Sequence, residues 1–310
     1  MHLINSVQKE LAFNKKFFSR KKEIIQEFRQ RKVVGWSLLS LIKHHIKSII
    51  ICFFYFPISI YEGREFLKKT WNLKNSAIKR KALIIGNGPS QECLNVKELD
   101  TFTRLGGETY CVNYWHSNKK LSSHIPTWYV LSDTRHLSNK SKNSIELIKY
   151  FRKNPSVKII VPTHFIKILK KLALKNQIYC FVDVELSICR NINPLLPRGY
   201  LSMTLYKVLA WANYLNYNSI GIIGLDNSYP KDIYIDQDNS ICFLERHAGE
   251  KDYLIDISSE YENIAAYIDE LTRVFHHLNY FSNKNTVNLN PYSFADHFKK
   301  INKNIFFKKS

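Results

Sequence analysis

Residues 81–90 read Lys81-Ala-Leu-Ile-Ile-Gly-Asn-Gly-Pro-Ser90, and they carry the clearest pattern in the chain. An apolar run that ends in a glycine-bracketed turn is typical of a central parallel strand whose carboxyl end faces a ligand. We expect Gly86 and Gly88 to take positive φ and approach a ligand closely, while the Asn87 amide can donate and accept. Neither Gly-x-Gly-x-x-Gly nor a Gly-Lys-Ser/Thr loop occurs, so an ordinary NAD fold and a P-loop NTPase fit poorly. The stretch therefore predicts a nucleotide-type ligand, and the alternative is a tight turn that binds nothing.

The chain is strongly basic. Lys and Arg outnumber Asp and Glu by 46 to 26, which gives a formal net charge of +20. This balance favours an anionic partner such as nucleic acid, phospholipid or a phosphorylated substrate, unless the protein is basic throughout without one. No helix-turn-helix, RRM or KH pattern is present, so we do not predict a nucleic-acid partner.

The cysteines indicate a reduced compartment. Six occur without any C-x-x-C pair, which predicts a cytoplasmic protein with no zinc site. Cys111 and Cys180 lie in apolar runs, so we expect them in the core.

Residues 1–80 are basic and helix-forming and contain the apolar segment 46–61. Lys47 and Pro57 interrupt this segment, and it is shorter than the ~20 apolar residues of a spanning helix. Three alternatives stay open: a helix lying in a membrane interface, a helical hairpin packed on the core, and a true span. The basic tail, residues 299–310, has a similar composition, and we expect both ends to dock peripherally on the inner face of the cytoplasmic membrane.

From residue 81 onward, short apolar runs alternate with helical patterns, which predicts an α/β fold with a Rossmann-like, doubly wound and mostly parallel sheet. Two helices are clear: 203–215, and 260–278 with Ser258 or Ser259 as N-cap. We predict seven strands, at 82–85, 109–112, 128–131, 158–161, 178–182, 220–223 and 286–289. The predicted catalytic domain spans 81–298, with a lid at about 227–258.

Residues that follow the strands are the candidate ligand contacts, because such sheets bind ligands outside the carboxyl ends of their strands. Asn113 follows the second strand, where an amide suits a sugar hydroxyl or base edge near a phosphate, or closes a turn. Asp133 follows the third strand and is expected to bind a ribose or base, to pair with Arg135, or to cap a helix.

Two further candidates precede the helix at 203. Ser202 is the expected N-cap, which would aim the first amides of this helix at an anion. Arg198 is expected to add a charge-assisted bond to a phosphate or carboxylate.

The segment after the sixth strand carries the candidate catalytic groups. Asp226 ends the strand, and Tyr229 and Tyr234 follow on a long connection, where phenols can stabilise a departing phosphate. His247 on the same connection is the best-placed general base; a surface histidine is the alternative, and the rivals for the base are His164, His276 and His297. Residues 236–238 read Asp-Gln-Asp, but they lie in a polar loop rather than after an apolar strand, so no metal site is predicted.

Together these blocks resemble the bacterial sialyltransferases of glycosyltransferase family 42. The resemblance covers roughly residues 81–298, and the blocks occur in the family's order. They are Ile85-Gly-Asn-Gly-Pro-Ser90, Cys111-Val-Asn-Tyr114, Arg198 to Ser202, Ile223-Gly-Leu-Asp226 and Asn290-Pro-Tyr-Ser-Phe-Ala295. The family has Asn-Pro-Ser after its third strand, where this chain has Ser132-Asp133-Thr134.

The resemblance implies a Rossmann-like, GT-A-like domain that uses CMP-sialic acid as donor and no cofactor or metal. Asn87, with Gly86, Gly88 and Ser90, would contact the donor phosphate or ribose, and Asn113 the cytidine. Ser202 would bind the sialic acid carboxylate or phosphate.

In the implied inverting reaction Tyr229 and Tyr234 would stabilise the departing CMP phosphate, and His247 would deprotonate an acceptor hydroxyl. The implied acceptor is a cell-surface glycan or glycolipid, as in lipopolysaccharide biosynthesis. Motility accessory and pterin diphosphokinase-like enzymes share the Gly-Asn-Gly-Pro-Ser turn and stay open, as does a noncatalytic scaffold. The sequence also leaves open whether the protein is a homo-oligomer.

Overall fold

A computed structural model describes residues 38–75, 81–137, 141–200, 203–245, 253–281 and 285–308. Their strands are β1 Lys81–Ile85, β2 Glu108–Val112, β3 Trp128–Val130, β4 Lys158–Pro162, β5 Ile178–Phe181, β6 Ser219–Ile223, β7 Ile233–Ile235, β8 Ile241–Glu245, β9 Tyr253–Asp256, β10 Thr286–Asn288 and β11 Lys299–Lys300. Their α-helices are α1 Leu38–Asn75, α2 Val96–Arg104, α3 Lys142–Lys153, α4 Ile166–Leu172, α5 Thr204–Tyr214, α6 Ile257–Glu260, α7 Ile264–Leu278 and α8 Lys303–Lys308.

Eight of these strands form one sheet in the order β11-β10-β6-β1-β2-β3-β4-β5. Every neighbouring pair is parallel. The prediction of an α/β fold with a parallel sheet is therefore confirmed, and each of the seven predicted strands is present. The remaining strands, β7, β8 and β9, form an antiparallel sheet within the predicted lid segment, which we call the lid sheet.

The core lies on both faces of the large sheet. Strands β1 and β2 are almost fully buried, as expected for parallel strands covered by helices. Helix α5 is buried around most of its circumference, and the Tyr206 hydroxyl donates to the Val274 carbonyl of α7 at 2.6 Å. Cys111 and Cys180 are fully buried, as predicted.

The prediction that one helix spans 260–278 is wrong at its first residues. The chain instead forms the short α6, breaks, and begins α7 at Ile264. Asn263 is the N-cap of α7, since its side chain accepts from the Ala266 amide at 3.0 Å. Asp256 caps α6 in place of the predicted Ser258 or Ser259, because its carboxylate accepts from the Ser258 amide at 2.8 Å.

The described part of the N-terminal extension is a single 38-residue helix, α1, about 57 Å long at 1.5 Å per residue. Pro57 lies inside it, so residues 38–75 contain no hairpin turn. Helix α1 packs on β5 at one edge of the sheet, where the Thr70 hydroxyl donates to the Cys180 carbonyl at 3.0 Å.

The predicted basic tail is built into the body over its described residues. Residues 299–300 form β11 at the opposite edge of the sheet from α1 and β5. Helix α8 follows, and its Phe306 is buried against Phe102 of α2, with ring centroids 5.9 Å apart. The described part of the N-terminal extension, α1, and the described part of the tail, β11 with α8, therefore lie at opposite edges of the sheet.

Candidate functional site

The sheet has a topological switch point between β1 and β6. From β1 the chain adds β2 to β5 on one side, and β6, β10 and β11 lie on the other. Neighbouring connections diverge at such a point and leave a crevice outside the carboxyl ends of the strands. The loop 86–90, which we call the β1 loop, leads from β1 into this crevice.

The glycines of the β1 loop allow its backbone to pass close to residues 223–226 at the end of β6. We call this contact between the two segments the crossing. A Cβ on Gly86 would lie 2.5 Å from the Gly224 carbonyl oxygen, and one on Gly88 would lie 2.7 Å from the same atom. Gly224 has φ +75°, and a Cβ there would lie 2.3 Å from the Gly86 oxygen. Among these three residues only Gly224 has positive φ, so the expectation of positive φ at Gly86 and Gly88 is wrong. The physical reason for both glycines is the approach of the β6 loop.

Hydrogen bonds join the β1 loop to residues 223–226. The amides of Gly86 and Gly88 donate to the carbonyls of Ile223 and Gly224, at 2.8 and 3.1 Å. The Ser90 hydroxyl accepts from the Gly224 amide at 2.9 Å. Both glycine amides already donate within the protein, so the predicted contact of Gly86 and Gly88 with a donor phosphate is not made through these two groups.

Asp226 completes this crossing. Its Oδ2 accepts from the Ser90 amide at 2.9 Å, and its Oδ1 accepts from Asn290 Nδ2 at 2.6 Å. The Asp226 carbonyl accepts from the Phe294 amide at 2.9 Å. Hydrogen bonds to the Asp226 carboxylate therefore hold the β1 loop and the segment 290–294 against the end of β6. Asp226 is a positioning residue.

Asn87 is the member of the β1 loop that stays available. It is half-buried and makes no hydrogen bond to any residue in the described part of the chain. Ile85 pairs with Cys111 in the parallel register of β1 and β2, so Asn87 and Asn113 follow the carboxyl ends of two neighbouring strands.

Asn113 is held in a special conformation at the end of β2. Its φ is +45°, in the left-handed region that asparagine tolerates better than most residues. Its carbonyl accepts from the Tyr129 hydroxyl at 2.6 Å, and its Nδ2 donates to Thr204 Oγ1 at 3.3 Å. The Asn113 Oδ1 is buried and accepts no hydrogen bond from the described residues. A buried acceptor without a donor costs about 1–3 kcal/mol, so this atom is suited to a donor on a ligand.

Helix α5 begins at the same place. Its N-cap is Met203, whose side chain gives no capping hydrogen bond, and the predicted N-cap Ser202 lies outside the described residues. Thr204, the first helical residue, contacts Ser132 at the end of β3 with 2.5 Å between the hydroxyl oxygens. The first amides and the dipole of α5 therefore favour an anion beside Asn113.

A buried charge cluster lies at the carboxyl end of β5. Arg198 Nη2 donates to the Val182 carbonyl at 2.6 Å and to Asp183 Oδ1 at 3.2 Å, and its guanidinium also lies over the rings of Phe181 and Tyr200. Lys207 of α5 donates to Asp183 Oδ2 at 3.3 Å.

In this cluster the cations of Arg198 and Lys207 both face the carboxylate of Asp183. Burial lowers the pKa of Lys207, and Asp183 opposes that shift. Arg198 is fully buried and forms an ion pair with Asp183 through Nη2, and its bond to a ligand stays a prediction. The sequence reasoning missed Lys207, although a lysine inside an otherwise apolar helix was a usable signal.

Asp133 and His164 lie near this cluster. Asp133 precedes a 3-10 helix, Thr134–Leu137, and its carbonyl accepts from the His136 amide at 3.2 Å, while its charge raises the pKa of Lys207. The side chain of Arg135 lies outside the described residues. His164 follows β4, and burial chiefly lowers its pKa, with Asp183 opposing. A histidine that stays neutral at pH 7 can accept a proton.

The lid sheet packs on α7 through aromatic side chains. The rings of Phe243 and Tyr267 stack with centroids 5.1 Å apart, and Tyr229 packs against the same cluster. Tyr234 lies on β7 and is 41% exposed. His247 lies outside the described residues.

The Asp-x-Asp motif of the lid has a structural explanation. Asp236 Oδ1 accepts from the amides of Asp238 and Ser240 at 2.9 and 2.8 Å, which closes the turn between β7 and β8. Over the described ranges, no group of three His, Cys, Asp or Glu is arranged to hold a metal ion.

Comparison of the sequence with protein-family models and with curated proteins finds no match. The resemblance to sialyltransferases thus rests on the motifs quoted above alone.

Proposed function

We propose that this protein is a glycosyltransferase that moves a sialic-acid-like sugar from a CMP-activated donor to a cell-surface glycan, with inversion and without a metal. The observation that carries the proposal is the Asn113 Oδ1, which is buried, has no donor among the described residues, and lies beside the uncapped N-terminus of α5 at the carboxyl ends of β2 and β3. That arrangement offers one neutral acceptor and one anion-binding helix end a short distance apart.

A cytidine monophosphate group fits both features. The exocyclic amine of cytosine and the ribose hydroxyls are donors that the Asn113 oxygen can accept from, and Asn87 in the β1 loop adds an amide. The α5 amides would receive the phosphate, whose negative charge the helix dipole stabilises by about 0.3–1 kcal/mol. On this proposal Asn87 and Asn113 touch the donor, while Ser90 and Asp226 position the β1 loop.

In an inverting transfer, an acceptor hydroxyl attacks the anomeric carbon, the bond from that carbon to the phosphate oxygen breaks, and the bonding electrons leave with CMP. The acceptor proton passes to a base. His247 is our first candidate, and His164 is the second because its lowered pKa keeps it neutral and it follows β4 at the same sheet edge. We also propose that the domain is GT-A-like.

A donor assay tests the proposal. Purified protein is incubated with CMP-sialic acid in EDTA, and release of CMP and free sugar is followed with and without glycan acceptors. We expect slow donor hydrolysis that needs no metal. A protein that instead turns over ATP only with Mg²⁺ belongs with the diphosphokinase-like alternative, and one that binds no nucleotide refutes the proposal.

The base is assigned with His247→Ala and His164→Ala in the same assay. The variant that lacks the base should retain CMP affinity and lose acceptor transfer by about 10²-fold or more, the usual contribution of general base catalysis. Transfer at the wild-type rate by both variants would remove both histidines from the mechanism.

A further inference from the structure

The outward face of α1 carries a row of exposed apolar side chains, which we call the apolar stripe. Its members are 51–82% exposed and lie along one face of the helix, three or four residues apart except for the adjacent pair Phe53 and Phe54. They are Ile46, Ile50, Phe53, Phe54, Ile58 and Tyr61. A contiguous exposed apolar patch on a protein surface marks an interaction site more often than it marks chance.

The opposite face of α1 is fixed to the body along its length. The Ser48 hydroxyl accepts from the Ser187 amide at 2.8 Å in the first half, and Thr70 is bonded to Cys180 in the second half. At Gly63 an added Cβ would lie 2.4 Å from the Thr163 methyl group, so the helix is in direct contact there. This packing holds the apolar stripe outward, parallel to the protein surface.

A groove runs beside the apolar stripe between α1 and α4. It has a volume of about 660 Å³, and its apolar lining includes Pro57, Ile58 and Ile166. Three cations also line it, Arg64, Lys167 and Lys170. The lining holds one carboxylate as well, that of Glu62, which binds Lys167 at 2.6 Å. Apolar surface bordered by excess positive charge matches the phosphate and acyl chain of an anionic lipid.

We propose that α1 and α4 form a docking surface for an anionic phospholipid bilayer. The apolar stripe enters the interface at headgroup depth, and Arg64, Lys167 and Lys170 face the lipid phosphates. This proposal goes beyond sugar transfer and stands independently of it. The face is a lipid surface rather than a nucleic-acid surface because its exposed centre is aliphatic and aromatic, with the cations at its margins.

The helix lies on the bilayer rather than through it. By length and composition, Ile42–Lys74 is long and apolar enough to cross a membrane. The run between Lys47 and Glu62, however, holds 14 residues free of charged side chains, about 21 Å of helix, against a hydrocarbon core of about 30 Å. A crossing would also break the packing of the Ser48 and Thr70 face.

Vesicle flotation tests the proposal with the full-length protein. We expect co-flotation with phosphatidylcholine vesicles that contain phosphatidylglycerol, and at least about tenfold less with phosphatidylcholine alone. Phe53→Ser with Phe54→Ser should lower flotation by about tenfold or more, because two large apolar contacts are lost. Arg64→Glu with Lys170→Glu should abolish the preference for anionic vesicles.

Matched controls use exposed residues elsewhere. Lys97→Glu with Lys149→Glu repeats the charge reversal on α2 and α3, and Leu105→Ser with Ile145→Ser repeats the loss of exposed apolar groups; both should float like wild type. Circular dichroism melting confirms that each variant folds. Failure of the wild type to float, or equal flotation by all variants, overturns the proposal.

Two alternatives, a second copy of the chain on this face and a helix that spans the membrane, would give different experimental results. A concentration-dependent dimer that the Phe53→Ser and Phe54→Ser changes dissolve, with no vesicle binding, would assign the face to a second copy of the chain and overturn the proposal. Membrane-bound protein should be released by alkaline carbonate. Resistance to that wash would overturn the interfacial placement in favour of a span.

Discussion

Replacing Asp226 by Asn should loosen the crossing that forms the candidate site. The two Asp226 oxygens face two donors, the Ser90 amide and Asn290 Nδ2. An asparagine offers one oxygen and one NH₂ group, so one donor must face another donor. Asn290 cannot turn its own amide without loss, because its Oδ1 already accepts from the Tyr292 amide at 2.9 Å.

The expected cost is one hydrogen bond to a charged acceptor, about 1.5–3 kcal/mol in the free energy of unfolding. For 310 residues, an unfolding entropy of about 2.1 cal/mol/K per residue converts 2 kcal/mol into a fall of about 3 °C in Tm. Urea denaturation and thermal melting measure both quantities.

Asp238→Asn is the matched control for Asp226→Asn. It removes the same charge from an exposed turn position, where the backbone amide of Asp238 donates to Asp236 Oδ1. We expect a change within about 0.5 kcal/mol, the usual range for surface substitutions. An Asp226→Asn protein as stable as the Asp238→Asn protein would refute the crossing as a stabilising feature.

Three further predictions concern Gly224, the buried histidines and Thr204. Gly224→Ala should lower the free energy of unfolding by more than about 3 kcal/mol or prevent folding, because strain at positive φ adds to a backbone clash. The control Gly106→Ala has φ +89° but nothing within 4 Å of the added Cβ, so it should cost only about 1–2 kcal/mol. Equal losses of stability in the two variants would contradict the close approach of Gly224 to Gly86. Burial lowers the pKa values of His116, His124 and His164 from their ordinary 6.5, so below that pH the unfolded chain takes up protons that the folded chain does not, and stability should fall with decreasing pH. His124→Asn should make that decline shallower in melts across this range, and an unchanged slope would exclude His124 as a contributor. Thr204→Val removes the hydroxyl that accepts from Asn113 and contacts Ser132, so CMP affinity measured by calorimetry should fall about 3–10-fold. The control Thr272→Val, on the outer face of α7, should leave CMP affinity unchanged.

The strands and the sheet edge that holds the site could be predicted from the sequence. Apolar runs such as 82–85 and 220–223 are buried on both faces, so their composition alone marks them as parallel strands. The prediction that Asn87 and Asn113 follow adjacent strands needed only the strand order of a doubly wound sheet.

Other features depend on contacts between distant segments, which a single sequence does not display. The close approach of Gly224 explains Gly86 and Gly88, and the ion pair with Asp183 explains why Arg198 is buried. The strands of the lid sheet were missed because their short runs carry polar turn residues at close intervals. The break before α7 was missed because Asn263 resembles an ordinary surface residue until its capping bond is seen.

Calorimetric titration with CMP tests the central claim most directly, with wild-type protein, Asn113→Gly and Asn216→Gly compared in EDTA. Glycine keeps the positive φ of both asparagines, +45° and +57°, so the variants lose the side-chain amide without backbone strain. We predict that the wild type binds CMP, that Asn113→Gly weakens binding by about tenfold, as expected for one buried hydrogen bond, and that Asn216→Gly binds like wild type. Absence of CMP binding by the wild type, or equal affinity in Asn113→Gly, would contradict the assignment of a nucleotide to this crevice.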